Sequence, residues 1–279
     1  MRFRFAEPID LKELINKARK SKSFFSYICY RMNIDINDIA TYITLENGKR
    51  LNCGKLVFRT EHEEETHKKA NERIIKADYL GEHVAELFET IEKGELPYGH
   101  YCESISNTSI YPTSRIIMIL SAFEREFRNI YGQDVRRADE YKQTKSEVIK
   151  LIEEFADTLG GKQRKYAKGF AKGIKNSDSS YGDNLKFALE DCRSIMEPFI
   201  TRRFEGNYED IINDVSININ EIRNGIAHSR LDMELEARNL VDIQFVEEML
   251  YAIRLKKMGI DNTVIQKAIN ELFGERMHI

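Results

Sequence analysis

The chain has 279 residues, of which 42% are hydrophobic and 32% are charged. A chain of this length can bury a substantial core and fits one large domain or two smaller ones. Its formal net charge is −3, which excludes a basic field over the whole surface, so any contact with nucleic acid has to come from local patches.

The apolar runs are far too short to span a bilayer, and no hydrophobic leader follows the first eight residues, MRFRFAEP. These features predict a soluble, cytoplasmic protein with no membrane partner. His62 and His67 stand among carboxylates but would diverge on a helix, which favours a charged helix start over a metal site. The cysteines form no C-x-x-C pair, so we expect reduced, buried thiols at Cys29, Cys53, Cys102 and Cys192.

The first sixty residues carry the strand signals of the chain. Residues 41–60, TYITLENGKRLNCGKLVFRT, have β-branched and aromatic runs around Asn47-Gly48, a dipeptide typical of tight hairpin turns. Apolar spacings of three, four and seven then predict a helix from about 62 to 93. Together these signals predict a small α+β domain with a β-hairpin over 1–110.

After Pro112 the pattern is almost wholly helical. Thr113 or Ser114 can cap a helix that stops near Gly132, and Pro198 is expected to bend a later helix. The predicted helices cover about 113–132, 144–159, 183–203, 207–226, 233–257 and a short segment around 264–272. Their short connections suit antiparallel neighbours, so the predicted fold class is mainly α, with an antiparallel helical bundle over about 113–273.

The fourth of these helices ends in a candidate site, RNGIAH, at residues 223–228. Glycine readily takes the left-handed conformation that terminates helices, so we expect this helix to end at Gly225. If the helix unwinds there, His228 can fold back beside Arg223, whereas on an unbroken helix the two side chains lie about 140° apart. Histidine exchanges a proton at cellular pH, and arginine presents a permanent planar fork that matches phosphate oxygens. The pair therefore suits phosphodiester cleavage. The alternative is that Arg223 caps helix carbonyls and His228 packs in a turn.

The segment EIRNGIAH (221–228) resembles the R-N-x-x-x-H signature of ribonucleases with a HEPN domain. Its surroundings agree with this resemblance. RIIMILSAFEREFRNIY (115–131) is similar to the opening helix of the ApeA-like HEPN group, and IRLKKMGID (253–261) is similar to its closing segment. The resemblance covers about 113–273 and implies a HEPN-type bundle that forms a nuclease domain over 113–279.

The resemblance implies a metal-independent endoribonuclease without a cofactor. His228 would activate the ribose 2′-hydroxyl or protonate the leaving oxygen, and Arg223 would hold the scissile phosphate, which gives 2′,3′-cyclic phosphate and 5′-hydroxyl ends. HEPN nucleases pair two motifs across a twofold interface, so a homodimer with a composite active site is implied. Asn224 would orient the phosphate or the histidine, and Glu124 matches an acidic position of the first helix. The alternative for Asn224 is a hydrogen bond at the helix end, and the alternative for Glu124 is a plain surface carboxylate.

A basic stretch, GGKQRKYAKGFAKGIKNSDSSYG (160–182), interleaves cations with Tyr166 and Phe170. Cations can hold phosphates and aromatic rings can stack on bases, so this stretch is predicted to bind single-stranded RNA or a tRNA loop. The predicted RNA-binding residues are Lys162, Arg164, Lys165, Lys168 and Lys172. The alternative is a solvated, lysine-rich loop or helix with Phe170 in the core.

Family resemblance also implies a role as an antiviral defence, abortive-infection or toxin effector, with an antitoxin or a phage-derived trigger as a further partner. Residues 1–110 would then sense the trigger, restrain the nuclease or position the substrate. HEPN toxins of one branch carry H-x-Tyr as a modification site, whereas here Arg230 stands in place of the tyrosine. A second hypothesis is a non-catalytic HEPN scaffold that binds RNA, nucleotide or a partner protein. A third is a helical interaction protein with a chance motif.

Overall fold

The computed structural model describes residues 2–62, 65, 72–97, 99–132, 139–175, 180–228 and 235–278. Helices make up most of this part of the chain, and its one sheet has two antiparallel strands. The prediction of a mainly α fold with a small hairpin is therefore confirmed. Within the described ranges, no helix is both long and apolar enough to cross a membrane.

The N-terminal part begins with a helix that the sequence patterns did not predict. Helix α1 (Leu11–Cys29) starts at Asp10, whose carboxylate accepts the Glu13 N–H at 2.6 Å, and ends at Tyr30, which has a left-handed backbone (φ 52°). Its C-terminal half is buried and its N-terminal half is largely exposed. Leu11, Leu14, Ile15 and Ala18 nevertheless recur at helical spacing, so the sequence carries a signal for the first half of this helix.

The predicted hairpin is confirmed. Strand β1 (Asp38–Thr44) pairs with β2 (Arg50–Val57), and the register runs from Asp38 opposite Val57 to Thr44 opposite Arg50. Gly48 takes the positive φ of the turn (77°), and the Asn47 side chain accepts the Lys49 N–H at 3.0 Å. Most side chains of both strands are exposed, so the hairpin buries little apolar surface.

The helix predicted from about 62 to 93 begins later than expected. Residues 61–62 and 72–76 are not helical, and residues 63–64 and 66–71, which include His67, lie outside the described ranges. The backbone N–H groups of Glu61 and His62 donate to the Asp35 carboxylate at 2.9 and 3.0 Å, which holds this segment in an extended path. The helical part consists of α2 (Ala77–Leu80), a 3-10 turn at Gly81–His83, and α3 (Val84–Glu92).

The six helices predicted after Pro112 are present in the predicted order, with two changes: one of them is split in two, and one further helix is added. Neither Thr113 nor Ser114 caps the first of them, because the N-cap residue is Pro112 and no side chain caps the helix. The basic stretch forms a helix of its own. The elements are α4 (Thr113–Tyr131), α5 (Asp139–Thr158), α6 (Gly161–Lys175), α7 (Tyr181–Asp191), α8 (Arg193–Arg203), α9 (Tyr208–Ala227), α10 (Ala237–Lys257) and α11 (Asn262–Phe273).

The helix predicted over 183–203 is split, but at Cys192 and not at Pro198. Cys192 leaves helical geometry (φ −94°, ψ 18°), whereas Pro198 lies inside α8. Proline has no N–H for the carbonyl four residues before it, which belongs to Ser194. The side-chain amide of Gln266 in α11 donates to that carbonyl at 2.7 Å, so α11 supplies the hydrogen bond that α8 lacks.

Helix α10 is at the centre of the molecule, since almost every residue from Asp242 to Leu255 is buried. The buried side chains form one hydrophobic cluster, to which α1, α3 and the helices after Pro112 other than α5 and α6 contribute. The Tyr251 hydroxyl donates to the Tyr27 carbonyl at 2.7 Å and joins α10 to α1. The division into domains near residue 110 stays a prediction, and the core is continuous across that point.

A buried carboxylate also joins the two parts of the chain. Glu247 in α10 receives the Arg115 guanidinium at 2.8 Å and the Tyr111 hydroxyl at 2.7 Å, and the Tyr30 hydroxyl also donates to it. Arg115 further donates to three carbonyls between Asn107 and Ile110. Charges removed from water are costly unless they are paired, so these contacts fix the segment before α4 against the bundle.

The four cysteines are free thiols, as expected from their spacing. Cys29, Cys102 and Cys192 are buried, and burial raises the pKa of each thiol. Cys53 is exposed on β2, so the prediction that all four are buried is wrong at this position. The reason is that the hairpin does not pack against the core.

Candidate functional site

The RNGIAH segment lies at the end of α9, whose position is fixed by its apolar face. The N-cap Asn207 accepts the Asp210 N–H at 2.9 Å, which starts the helix. The face that follows is buried and consists of Tyr208, Ile211, Ile212, Val215, Ile219 and Ile222. Arg223 comes directly after the last of these residues and is therefore carried to the border between core and solvent.

The helix does not end at Gly225, so the expected helix end is wrong and the alternative of an unbroken helix applies. Helix α9 continues through Gly225, which is buried, to Ala227. His228 is the C-cap residue, its N–H donates to the Asn224 carbonyl at 3.0 Å, and its side chain is exposed. Residues five apart on a continuous helix are rotated by about 140°. His228 is therefore not folded back beside Arg223 within one chain.

The structure brings Arg223 together with Glu124 of α4 and with Asn224. The Arg223 Nε and Nη2 atoms both lie 3.1 Å from Glu124 Oε1, and Nη1 lies 3.5 Å from Asn224 Oδ1. The side chains of Arg223 and Glu124 are 41% and 28% exposed. An ion pair with this exposure contributes at most about 1 kcal/mol to stability, so its main effect is to orient the guanidinium.

Tyr181 lies next to this pair and was not singled out from the sequence. It is the first residue of α7, its ring packs against Phe123 with centroids 5.3 Å apart, and its hydroxyl is buried without a hydrogen-bond partner among the described residues. Burial raises the pKa of Tyr181 well above its usual value, the charge of Glu124 raises it further, and Arg223 lowers it. A tyrosine that follows an N-cap serine gives no indication in the sequence that it will lie beside Arg223 and Glu124.

Gly182 allows α7 to approach α9 closely at the same place. A Cβ atom on Gly182 would meet the Ser216 carbonyl oxygen at 2.7 Å and the Asn220 Cβ at 3.1 Å. The Gly182 N–H instead donates to Asn220 Oδ1 at 3.3 Å. This contact sets how α7, and with it Tyr181, lies beside the motif helix.

The basic stretch is a helix on which Arg164 and Lys168 lie on one flank of the buried face and the aromatic rings lie on the other. Ala167 and Ala171 of α6 are buried, and Arg164 and Lys168 contact Asp157 of α5 at 2.7 and 3.7 Å. With about 100° per residue, Tyr166 and Phe170 lie on the other side of the buried face. Both rings are exposed, so the alternative is right about a solvated, lysine-rich helix but wrong in placing Phe170 in the core. Lys162, Lys165 and Lys172 are exposed as well.

Within the described ranges, no group of three or more histidine, cysteine, aspartate or glutamate side chains is placed to hold a metal ion. Comparisons with protein-family models, with curated proteins and with solved structures gave no match to this chain. The chemistry of the site therefore has to be judged from its own residues: an oriented guanidinium, an exposed imidazole one and a half turns further along the chain, and a carboxylate that shares the guanidinium.

Proposed function

We propose that the chain is a metal-independent endoribonuclease of the HEPN type. The proposal rests on one observation above all: the R-N-x-x-x-H motif lies at the exposed end of α9, with Arg223 oriented by Glu124. An arginine held in this way can bind a phosphate group through Nη1, and an exposed histidine can exchange protons with solvent and substrate. The mainly helical fold after Pro112 agrees with a HEPN-type bundle.

In the proposed reaction the ribose 2′-oxygen attacks phosphorus and the bond from phosphorus to the 5′-oxygen breaks. His228 accepts the 2′-hydroxyl proton or gives a proton to the departing 5′-oxygen, and Arg223 stabilises the charge on the phosphate oxygens. Asn224 orients the phosphate, and Glu124 positions Arg223. The products are a 2′,3′-cyclic phosphate and a 5′-hydroxyl. DNA is not cleaved because it lacks the 2′-hydroxyl.

The continuous helix favours an active site shared between two copies. Because Arg223 and His228 point about 140° apart on one helix, His228 of one chain serves more easily beside Arg223 of another. A twofold axis near residue 228 would create two such pairs. We propose structured RNA such as tRNA as the substrate and a defence or toxin role in the cytoplasm, both by analogy with the HEPN family.

The deciding experiment compares the wild type with His228→Ala on total tRNA in the presence of EDTA, with the ends of all products mapped. His83→Ala is the matched control, because His83 is another accessible histidine that lies in the turn before α3 and contacts Glu86. We expect cuts that end in cyclic phosphate with the wild type and with His83→Ala, and none with His228→Ala. Equal cutting by all three proteins would remove His228 from the mechanism.

The contact between Arg223 and Glu124 favours a second candidate function, a non-catalytic scaffold that binds RNA, nucleotide or a partner protein. The Glu124 carboxylate beside the guanidinium offsets its positive charge, and no described contact links His228 to Arg223. This scaffold predicts that tRNA binds to the wild type without cleavage and that Arg223→Ala, but not His228→Ala, weakens binding.

A further inference from the structure

Helices α5 and α6 form a hairpin with an unusually apolar exposed surface. Within the described part of the chain, the two helices pack mainly against each other. The hairpin leaves six large side chains in solvent: Tyr141 (36% exposed) near the start of α5, and Val148 (37%), Leu151 (64%), Phe155 (60%), Tyr166 (62%) and Phe170 (68%). We refer to the last five residues as the apolar face. A contiguous patch of this kind on a soluble protein usually marks a binding surface.

Helical geometry places these residues on one side of the hairpin. On α5 the inward residues are Ile152 and Ala156, and Val148, Leu151 and Phe155 follow on one flank at about 40°, 100° and 60° from Ile152. On α6 Tyr166 and Phe170 lie on one flank of the inward Ala167. Since the two helices run antiparallel, the flanks meet on one face of the hairpin.

The ion pairs of the hairpin lie on its opposite face. Asp157 contacts Arg164 and Lys168 there, and all three residues rotate away from the apolar face by helical spacing. Two of the cations that could hold an RNA backbone are therefore directed away from the exposed rings. An apolar protein surface fits the apolar face better than a polyanion does.

The charges along the two edges of the apolar face have opposite signs. On α5, Glu147 and Glu154 stand four residues before and three residues after Leu151, which makes them its neighbours on the helix surface. On α6, Lys162 stands four residues before Tyr166, and Lys165 follows Lys162 after about one helical turn. Lys150 lies 3.8 Å from Glu154 on the same side of α5, so the α5 edge is acidic in balance, and the α6 edge is basic. Edges of opposite sign attract each other when each α5 lies over the α6 of the other copy.

We propose that the apolar face packs against the same face of a second copy of this chain. Two face-to-face arrangements have a twofold axis, one with α5 over α5 and one with α5 over α6. The first brings acidic edges together, whereas the second pairs Glu154 of each copy with Lys162 and Lys165 of the other. The second is therefore favoured, and it makes an antiparallel four-helix bundle in which neighbouring helices run in opposite directions. This goes beyond the proposed function, because the pairing surface lies on α5 and α6 and not at the end of α9, and it needs no nuclease activity. A chain that pairs through both surfaces forms an oligomer larger than a dimer.

The first test measures the molar mass of the full chain by size exclusion with light scattering. We expect the wild type to be at least a dimer, and Leu151→Lys to weaken the association made through the apolar face at least about tenfold, because a charge enters the centre of the face twice per pair. Ser146→Lys adds the same charge on the opposite side of α5 and is expected to match the wild type. A monomeric wild type, or a Leu151→Lys protein that associates as tightly as the wild type, overturns the proposal.

The second test uses charge reversal and mixing at low ionic strength, where exposed charges are least screened. One variant carries Glu147→Lys and Glu154→Lys, and the other carries Lys162→Glu and Lys165→Glu. Each alone is expected to dimerise about tenfold more weakly than the wild type, since like charges then face each other. An equimolar mixture is expected to recover the dimer, because all edge pairs in the heterodimer are again opposite in sign.

Recovery on mixing also shows that neither variant has merely lost its fold. Variants that associate alone as tightly as the wild type, or a mixture that stays as weak as its components, overturn the placement of α5 over α6. With α5 over α5, like charges would already face each other in the wild type. Both tests are made without RNA, so a failure of the nuclease proposal does not affect them. Conversely, a wild-type dimer that persists in Leu151→Lys rejects this surface and leaves the nuclease proposal standing.

Discussion

His100 is buried between aromatic rings and cannot easily become charged. Its ring lies 5.7 Å from that of Tyr30 and 4.5 Å from that of Tyr101, and its Nδ1 atom has no hydrogen-bond partner among the described residues. Burial, together with the charge of Arg115, lowers the pKa of His100 to about 3. The folded protein therefore holds a neutral imidazole at pH values where the unfolded chain binds a proton.

We expect His100→Phe to reduce the loss of stability in mild acid. Because the folded pKa lies below the unfolded value of about 6.5, the wild type loses stability as pH falls from about 6.5 towards 3, by on the order of 2 kcal/mol at pH 5. Phenylalanine keeps the ring and has no proton to bind. Urea unfolding at pH 7.5 and pH 5 measures this. An identical loss of stability in both proteins would contradict the prediction, because it would mean that His100 does not contribute to the acid sensitivity.

The candidate site shows what could be predicted at this scale and what could not. Residue chemistry and family resemblance singled out Arg223, Asn224 and Glu124, and these three are in contact. The helix end expected at Gly225 was wrong, because a glycine near a helix end is typical of a terminus but packing can keep it helical. The position of Tyr181 depends on the packing of α7 against α4, which spacing along the chain does not contain.

At the scale of elements, the close approach of α7 to α9 depends on Gly182, which has no side chain. We expect Gly182→Ala to lower the free energy of unfolding by about 1–3 kcal/mol, because its Cβ would meet the Ser216 carbonyl oxygen, a backbone atom that cannot rotate away. Gly169→Ala is the matched control in α6, since a Cβ there meets no atom within 4 Å. It should stabilise the helix slightly.

Chemical denaturation of the two alanine variants tests this contact. A Gly182→Ala protein as stable as the wild type would mean that α7 shifts without cost. Cleavage or binding assays on the same variant add a second readout, because a shift of α7 would move Tyr181 beside Arg223 and Glu124.

Helices were predictable where one stripe of the helix is buried. Apolar residues recur every three or four positions in α4 and α9, and both helices were predicted to within a few residues. Helix α1 was not predicted although Leu11, Leu14, Ile15 and Ala18 recur at helical spacing, whereas its buried Ser21 and Ser26 could not be read from an apolar pattern. The break at Cys192 was missed because neither glycine nor proline marks it.

At the scale of the whole molecule, one core joins the hairpin-bearing part to the helices after Pro112. We expect residues 113–279 alone to lack a cooperative unfolding transition and to bind an apolar dye, because Tyr251, Phe273 and Glu247 would lose the cover of α1 and Tyr30. Calorimetry of the full chain and of the fragment measures this. A fragment that unfolds as cooperatively as the full chain would instead support two independent domains.

The shared carboxylate of Glu247 has a consequence for the history of this sequence. Its partners, Tyr30, Tyr111 and Arg115, come from the end of α1, from the segment before α4 and from α4 itself. Losing the acid alone would leave a buried cation unpaired, and losing the cation alone would leave a buried acid unpaired. In any set of related sequences, positions 115 and 247 should therefore change together or not at all, and a hydrophobic pair in both places should be the commonest replacement.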